Sequence, residues 1–119
     1  VMCLPMAADE WLVGVKVEKE TETYEALDRA INGIGGAIAV VSDAYVCVRI
    51  QGPDTLAVLV QALAQDVHES VTPVGAAWRG TFGRSAALMH RIGPTTFDVY
   101  ADITLERYVT RYLKACAGT

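Results

Sequence analysis

No stretch of this chain approaches the ~20 consecutive apolar residues of a helical membrane span, so no such span is expected. Positive charge is scarce: ten Lys and Arg stand against fourteen Asp and Glu, for a formal net charge of −4. The ten bases are scattered, with Arg79 and Arg84 the nearest approach to a cluster. A phosphate-binding surface needs concentrated positive charge, which argues against a nucleic-acid partner. Cysteine is also sparse. Cys3, Cys47 and Cys116 are odd in number and far apart, which fits neither a disulfide framework nor a zinc site. Reduced thiols and a cytoplasmic location are the simplest expectation. No signal peptide is recognisable, and a first residue of Val rather than Met is what an incomplete or processed polypeptide would show.

Catalytic motifs are missing too. The chain has no Gly-x-Ser-x-Gly, Cys-x-x-Cys, His-Glu-x-x-His or nucleotide-binding fingerprint. Gly33-x-Gly35-Gly36 follows a predicted helix instead of opening one, so it reads as a helix stop and not a phosphate loop. Asp66, His68 and Glu69 lie close together in an irregular connection, but their spacing matches no zinc site, and a solvated or hydrogen-bonded histidine is the simpler reading. Cys47, in the middle of a strand pattern, reads as a small packed hydrophobe. Neither catalytic, metal-binding nor cofactor-binding residues are assigned to this chain.

What is present is a folding pattern. With 119 residues and 52% hydrophobic content, the chain is expected to form one globular domain over residues 1–119. The clearest stretch spans residues 38–65, read as strand, turn, strand, turn, helix. Val46, Val48 and Ile50 alternate with Tyr45, Cys47, Arg49 and Gln51. Gly52-Pro53-Asp54 then stops the strand, and the period changes to 3.6 with Leu56, Leu59, Val60 and Leu63 on one stripe. Upstream, Cys3 onward reads as a loop that becomes a strand around Trp11–Val17. The charged run 18–22 reads as a solvated loop, followed by a helix over 23–32. Downstream, strands over 76–82 and 85–92 flank a Gly83-Arg84 turn, and Phe97, Val99 and Ala101 mark a further strand. Thr104 is expected to cap a last helix, whose apolar stripe is Leu105, Tyr108, Val109, Tyr112, Leu113 and Cys116. The result is an α+β fold of order β-α-β-β-α-β-β-β-α: a mostly antiparallel sheet with three helices packed on one face.

The mean hydropathy of +0.28 suggests more apolar surface than three helices can cover. Contiguous apolar surface marks partner sites, and Trp and Arg dominate interface hot spots. Trp78, Arg79 and Arg84 are therefore candidate anchors of a hetero-oligomeric interface. A Trp78 that simply completes the core is the competing reading.

Three ordered segments carry a family resemblance. Leu4-Pro5 through Asp9-Glu10-Trp11-Leu12-Val13 is similar to a Gly-Pro-Asp-Glu-Trp-Leu-Leu opening strand. Val40-Val41-Ser42-Asp43, with Val46 to Asp54, is similar to Val-Val-Asp-Val-Ser and Arg-Leu-Ser-Gly-Pro-Asp, and Asp66-Val67-His68 to the Asp-Leu-His that follows. His90-Arg91, Thr95 to Tyr100 and the closing helix complete the set. Together they resemble the gamma subunit of heterotetrameric sarcosine oxidase, within the folate-binding aminomethyltransferase-like superfamily. No position matches that superfamily's catalytic aspartate. The resemblance implies a non-catalytic accessory subunit of a flavoenzyme complex that demethylates sarcosine or a related N-methyl or secondary amino acid. It implies larger alpha and beta flavoprotein subunits and a small delta subunit as partners. FAD, FMN, NAD, tetrahydrofolate and zinc would belong to those other subunits. The alternatives are a stand-alone folate-binding one-carbon protein and a regulatory α+β ligand-binding module.

Overall fold

The computed structural model describes residues 2–63, 67–82 and 85–116. The chain falls into two compact units, Val1–Ser42 and Asp43–Thr119.

In the first unit, β1 (Met2–Ala7) and β2 (Glu10–Gly14) form an antiparallel hairpin that pairs Cys3 with Val13 and Leu4 with Leu12. The expected opening loop is thus a strand. Pro5 is tolerated because it stands in a two-stranded ribbon, beside an irregularity between Pro5 and Ala7. The charged run is not a loop either. A 3₁₀ turn over Val17–Lys19 leads directly into α1 (Glu20–Ile31). Glu20 and Glu22 occupy the first helical turn, where the positive end of the helix dipole favours carboxylates. After α1, Gly33 and Gly35 take positive φ values of 87° and 82°, as a helix stop requires. The strand expected at 38–42 is irregular. Its β-branched residues favour extended backbone, but no strand among the described residues pairs with it.

The second unit is a four-stranded antiparallel sheet with two helices on one face. Its elements are β3 (Tyr45–Gln51), α2 (Thr55–Ala62), β4 (Ala77–Phe82), β5 (Ser85–Gly93), β6 (Thr96–Asp102) and α3 (Glu106–Cys116). The strand order is β3-β6-β5-β4. Cross-strand register aligns Val48, Val99, Met89 and Trp78 in one row. Alternation sends this row, with Val46, Ile50, Phe97, Ala101 and Ala87, to the same face. Leu59, Ala62 and Leu63 of the α2 region and Val109 of α3 close over it as a single core. Leu59, Met89, Phe97, Val99 and Val109 are fully buried, each contributing roughly 1.5–3 kcal/mol of burial free energy.

The expected stripes hold with two adjustments. Leu56, Leu105, Tyr108 and Leu113 are half-buried and pack against the core, whereas Val60 is 66% exposed. The last helix is not capped by Thr104. The Asp102 carboxylate accepts from the Thr104 N–H (2.9 Å) and its hydroxyl (2.6 Å), starting a 3₁₀ turn over Ile103–Leu105 that runs into α3. The fold is α+β, with antiparallel sheets and three helices among the described residues, in agreement with the class read from the sequence.

Candidate functional site

The three interface candidates do not share a surface of the sheet. Trp78 faces the core and packs against it from a half-buried position. Arg79, the next residue on β4, points to the opposite face and is exposed. Arg84 lies outside the described residues. Among exposed apolar side chains, the first unit carries Trp11 (60%), Val17 (87%) and Ile34 (76%).

The face of the sheet turned away from α2 and α3 is where polar groups gather. Register places Arg49, Asp98, His90 and Ala77 in one row, and Cys47, Tyr100, Leu88 and Arg79 in the next. Arg49 donates to both oxygens of Asp98, from Nε at 2.8 Å and from Nη2 at 3.0 Å. This fork-on-carboxylate geometry is the strong form of the ion pair. Asp98 is buried, and its hydrogen bond raises the Arg49 pKa above its ordinary value. His90 Nδ1 is buried and has no hydrogen-bond partner among the described residues. Cys47 is exposed on this face and is not the packed hydrophobe expected from its strand position; partial desolvation of the sulfur, followed by the Asp98 carboxylate, pushes its thiol up. Burial, followed by Cys47, pushes the Tyr100 phenol up. A thiol raised in this way holds less thiolate at neutral pH, the reverse of what a nucleophile needs.

A second polar centre closes one end of the sheet. Arg91 is 2% exposed, and its guanidinium donates to four backbone carbonyls: Val67 (3.0 Å), Thr72 (2.7 Å), Pro94 (2.8 Å) and Gly93 (3.3 Å). The connection after α2 and the β5–β6 turn are thus tied to one side chain. Gly75 extends the ladder, donating to the Arg91 carbonyl at 2.8 Å with φ at +93°, a conformation that favours glycine. In the same connection, His68 Nδ1 meets the Ser70 hydroxyl at 2.7 Å and accepts from the Ser70 N–H at 3.1 Å. Local bonding therefore occupies this histidine. Asp66 lies outside the described residues, and among them no group of three or more His, Cys, Asp or Glu is placed to hold a metal ion.

Pattern reasoning did not assign the roles of Arg49, Asp98 or Arg91. The signal was faint but present: Arg49 and Asp98 fall on the mixed face of their strand alternation, whereas Arg91 takes a position that shares its parity with Ala87 and Met89.

One of the comparisons with known proteins gives a family, and another gives the fold. Residues 3–118 match the model of the sarcosine oxidase gamma subunit family. Among solved structures, the chain resembles a chain of the heterotetrameric sarcosine oxidase from Corynebacterium sp. U-96 in complex with pyrrole 2-carboxylate, with a TM-score of 0.86 at 17% identity. The match covers 96% of this chain and 57% of that one, so it supports the fold alone. No curated protein matches. With the family match running nearly end to end, the chain belongs to the sarcosine oxidase gamma subunit family.

Proposed function

We propose that this chain is the gamma-type, non-catalytic subunit of a heterotetrameric sarcosine oxidase-like complex, acting in the cytoplasm as one unit over residues 1–119. The observation that carries this reading is the family match over residues 3–118. The fold, shared with a chain of a heterotetrameric sarcosine oxidase, is compatible with this reading. In this reading the complex oxidatively demethylates sarcosine or a related N-methyl or secondary amino acid. Larger alpha and beta flavoprotein subunits and a small delta subunit hold FAD, FMN, NAD, tetrahydrofolate and zinc, and this chain stabilises their assembly. The chemistry of its own side chains suits that role. Arg49, Asp98 and Arg91 are engaged in internal bonds, and the thiol nearest to them is pushed away from reactivity.

Trp78, Arg79 and Arg84 remain the proposed contact region, with more than roughly 1,000 Å² of total surface buried on assembly. The test is purification of the native complex with an affinity tag on this chain alone. Co-elution with a large flavin-containing partner and amine oxidase activity is the expected result. A chain that elutes alone, or that retains flavin absorbance when isolated, overturns the reading.

A further inference from the structure

The formal charge is divided unevenly. Val1–Ser42 holds seven acids and three bases and so carries the whole net charge of −4, while the remaining seven acids balance seven bases. Within the second unit, three of those seven bases stand on α3: Arg107, Arg111 and Lys114. Lys114, in the last turn, is where the helix dipole favours a cation. Arg107 is not. It stands in the first turn, where a cation is disfavoured, four residues from Arg111, so two like charges share one edge of the helix.

Both arginines are exposed, and neither forms an ion pair among the described residues. Between them Tyr108 and Tyr112 stack, with ring centroids 6.0 Å apart, and the four side chains line an open cleft of about 420 Å³. Helix stability disfavours this placement, because like charges four residues apart repel and a cation in the first turn meets the positive end of the helix dipole. Arg and Tyr are also the side chains that dominate interface hot spots.

We infer that the Arg107–Tyr108–Arg111–Tyr112 edge of α3 is a docking surface for an acidic segment of a partner subunit. The inference rests on the reading of this chain as an assembly subunit. Side chains four apart on a helix are about 5–6 Å apart at Cβ, so the matching segment presents two carboxylates at similar spacing. The tyrosine rings supply the apolar floor between the two ion pairs.

The test uses the native complex with wild-type chain, with R107E/R111E and with R107K/R111K. Dissociation constants for this subunit are measured at about 0.1 M and 0.5 M NaCl, which changes screening at an exposed pair. The expected result is binding weakened roughly tenfold or more by charge reversal, largely kept by the lysine pair, and weakened by salt in the wild type and the lysine variant but not in the charge-reversed one. A polyglutamate peptide should displace the wild-type chain, and polylysine should not. Equal melting temperatures of the isolated variants show that folding is intact; if the reversal melts early, the single variants R107Q and R111Q replace it. Three results overturn the inference. One is charge reversal with unchanged affinity and salt dependence, which leaves the subunit reading standing. Another is a wild-type chain that binds no larger subunit, which removes both. The third is loss of a self-association of this chain, seen by sedimentation, in place of any loss of partner binding.

Discussion

Arg91 and Phe97 face each other across the β5–β6 ladder, with the guanidinium carbon 4.9 Å from the ring centre. The pair joins a buried cation to the main core, for Phe97 belongs to the apolar cluster under α2 and α3. Replacing Arg91 by Met keeps the volume and leaves the four carbonyls without their donor. The expected loss is roughly 2–5 kcal/mol, measured by denaturant unfolding. Amide exchange over 67–75 should rise in parallel. An unchanged midpoint would show that water satisfies these carbonyls equally well.

The Arg49–Asp98 pair should differ from the exposed Lys19–Glu22 pair, whose side chains are 61% and 74% exposed. Asp98 is only 6% exposed at its side chain, so salt screens the first pair less. Double-mutant cycles with R49Q/D98N and K19Q/E22Q, run at low and high salt, compare the two. The expected outcome is a favourable coupling for Arg49–Asp98 that persists in high salt, against one near zero for Lys19–Glu22.

Asp102 gives a pH dependence. The Thr104 hydroxyl, then the Thr104 backbone N–H, hold its carboxyl below the ordinary 3.8. A depressed folded value means that the unfolded chain binds the proton more readily. The stabilisation is therefore complete above the ordinary value and fades as pH falls through the folded one. D102N should flatten the acid side of the stability profile below about pH 4 while leaving its shape near neutrality unchanged. Thermal melts from pH 2 to 7 on both proteins check this, and parallel acid limbs would count against it.

Along α2, neighbouring residues should respond in opposite ways. Leu59→Ala empties a fully buried site and should cost about 2–5 kcal/mol. Val60→Ala, at a solvent-facing position, should stay within about 0.5 kcal/mol. Equal effects would mean that α2 is rotated from the orientation described.

Trp78 and Arg79 separate packing from assembly. Trp78→Ala should lower the melting temperature of the isolated chain, because the ring leans on the core. Arg79→Ala should leave that temperature unchanged and weaken retention of the larger subunits. The opposite pattern would remove Arg79 from the proposed contact region.

The second unit was the more legible part of the sequence. Period-two alternation in β3 and β6 and the 3.6 period of α2 and α3 fixed which residues meet in the core, because burial and periodicity coincide there. The first unit was harder. Val40 and Val41 have the side chains of a strand, but pairing, which depends on another segment, decides whether they form one. The acidic run was misread because composition alone does not separate a solvated loop from a favourable first helical turn. The polar centres were hidden for a related reason. Arg49 and Asp98 are separated by 49 residues, and Arg91 bonds to carbonyls whose positions no side-chain pattern encodes.

The strand order β3-β6-β5-β4 bears on how the chain emerges from the ribosome. β3 is synthesised first in its sheet but, among the described residues, pairs only with β6, whose residues arrive some 49 positions later. Until then, β3 and α2 exist as a nascent segment with an open edge and an uncovered apolar face. β4, β5 and β6 form a meander of sequential neighbours, whose pairing brings β6 to the waiting strand. A transcript truncated before Thr96 would yield a polypeptide with no partner for β3, and such chains are substrates for aggregation or chaperone capture.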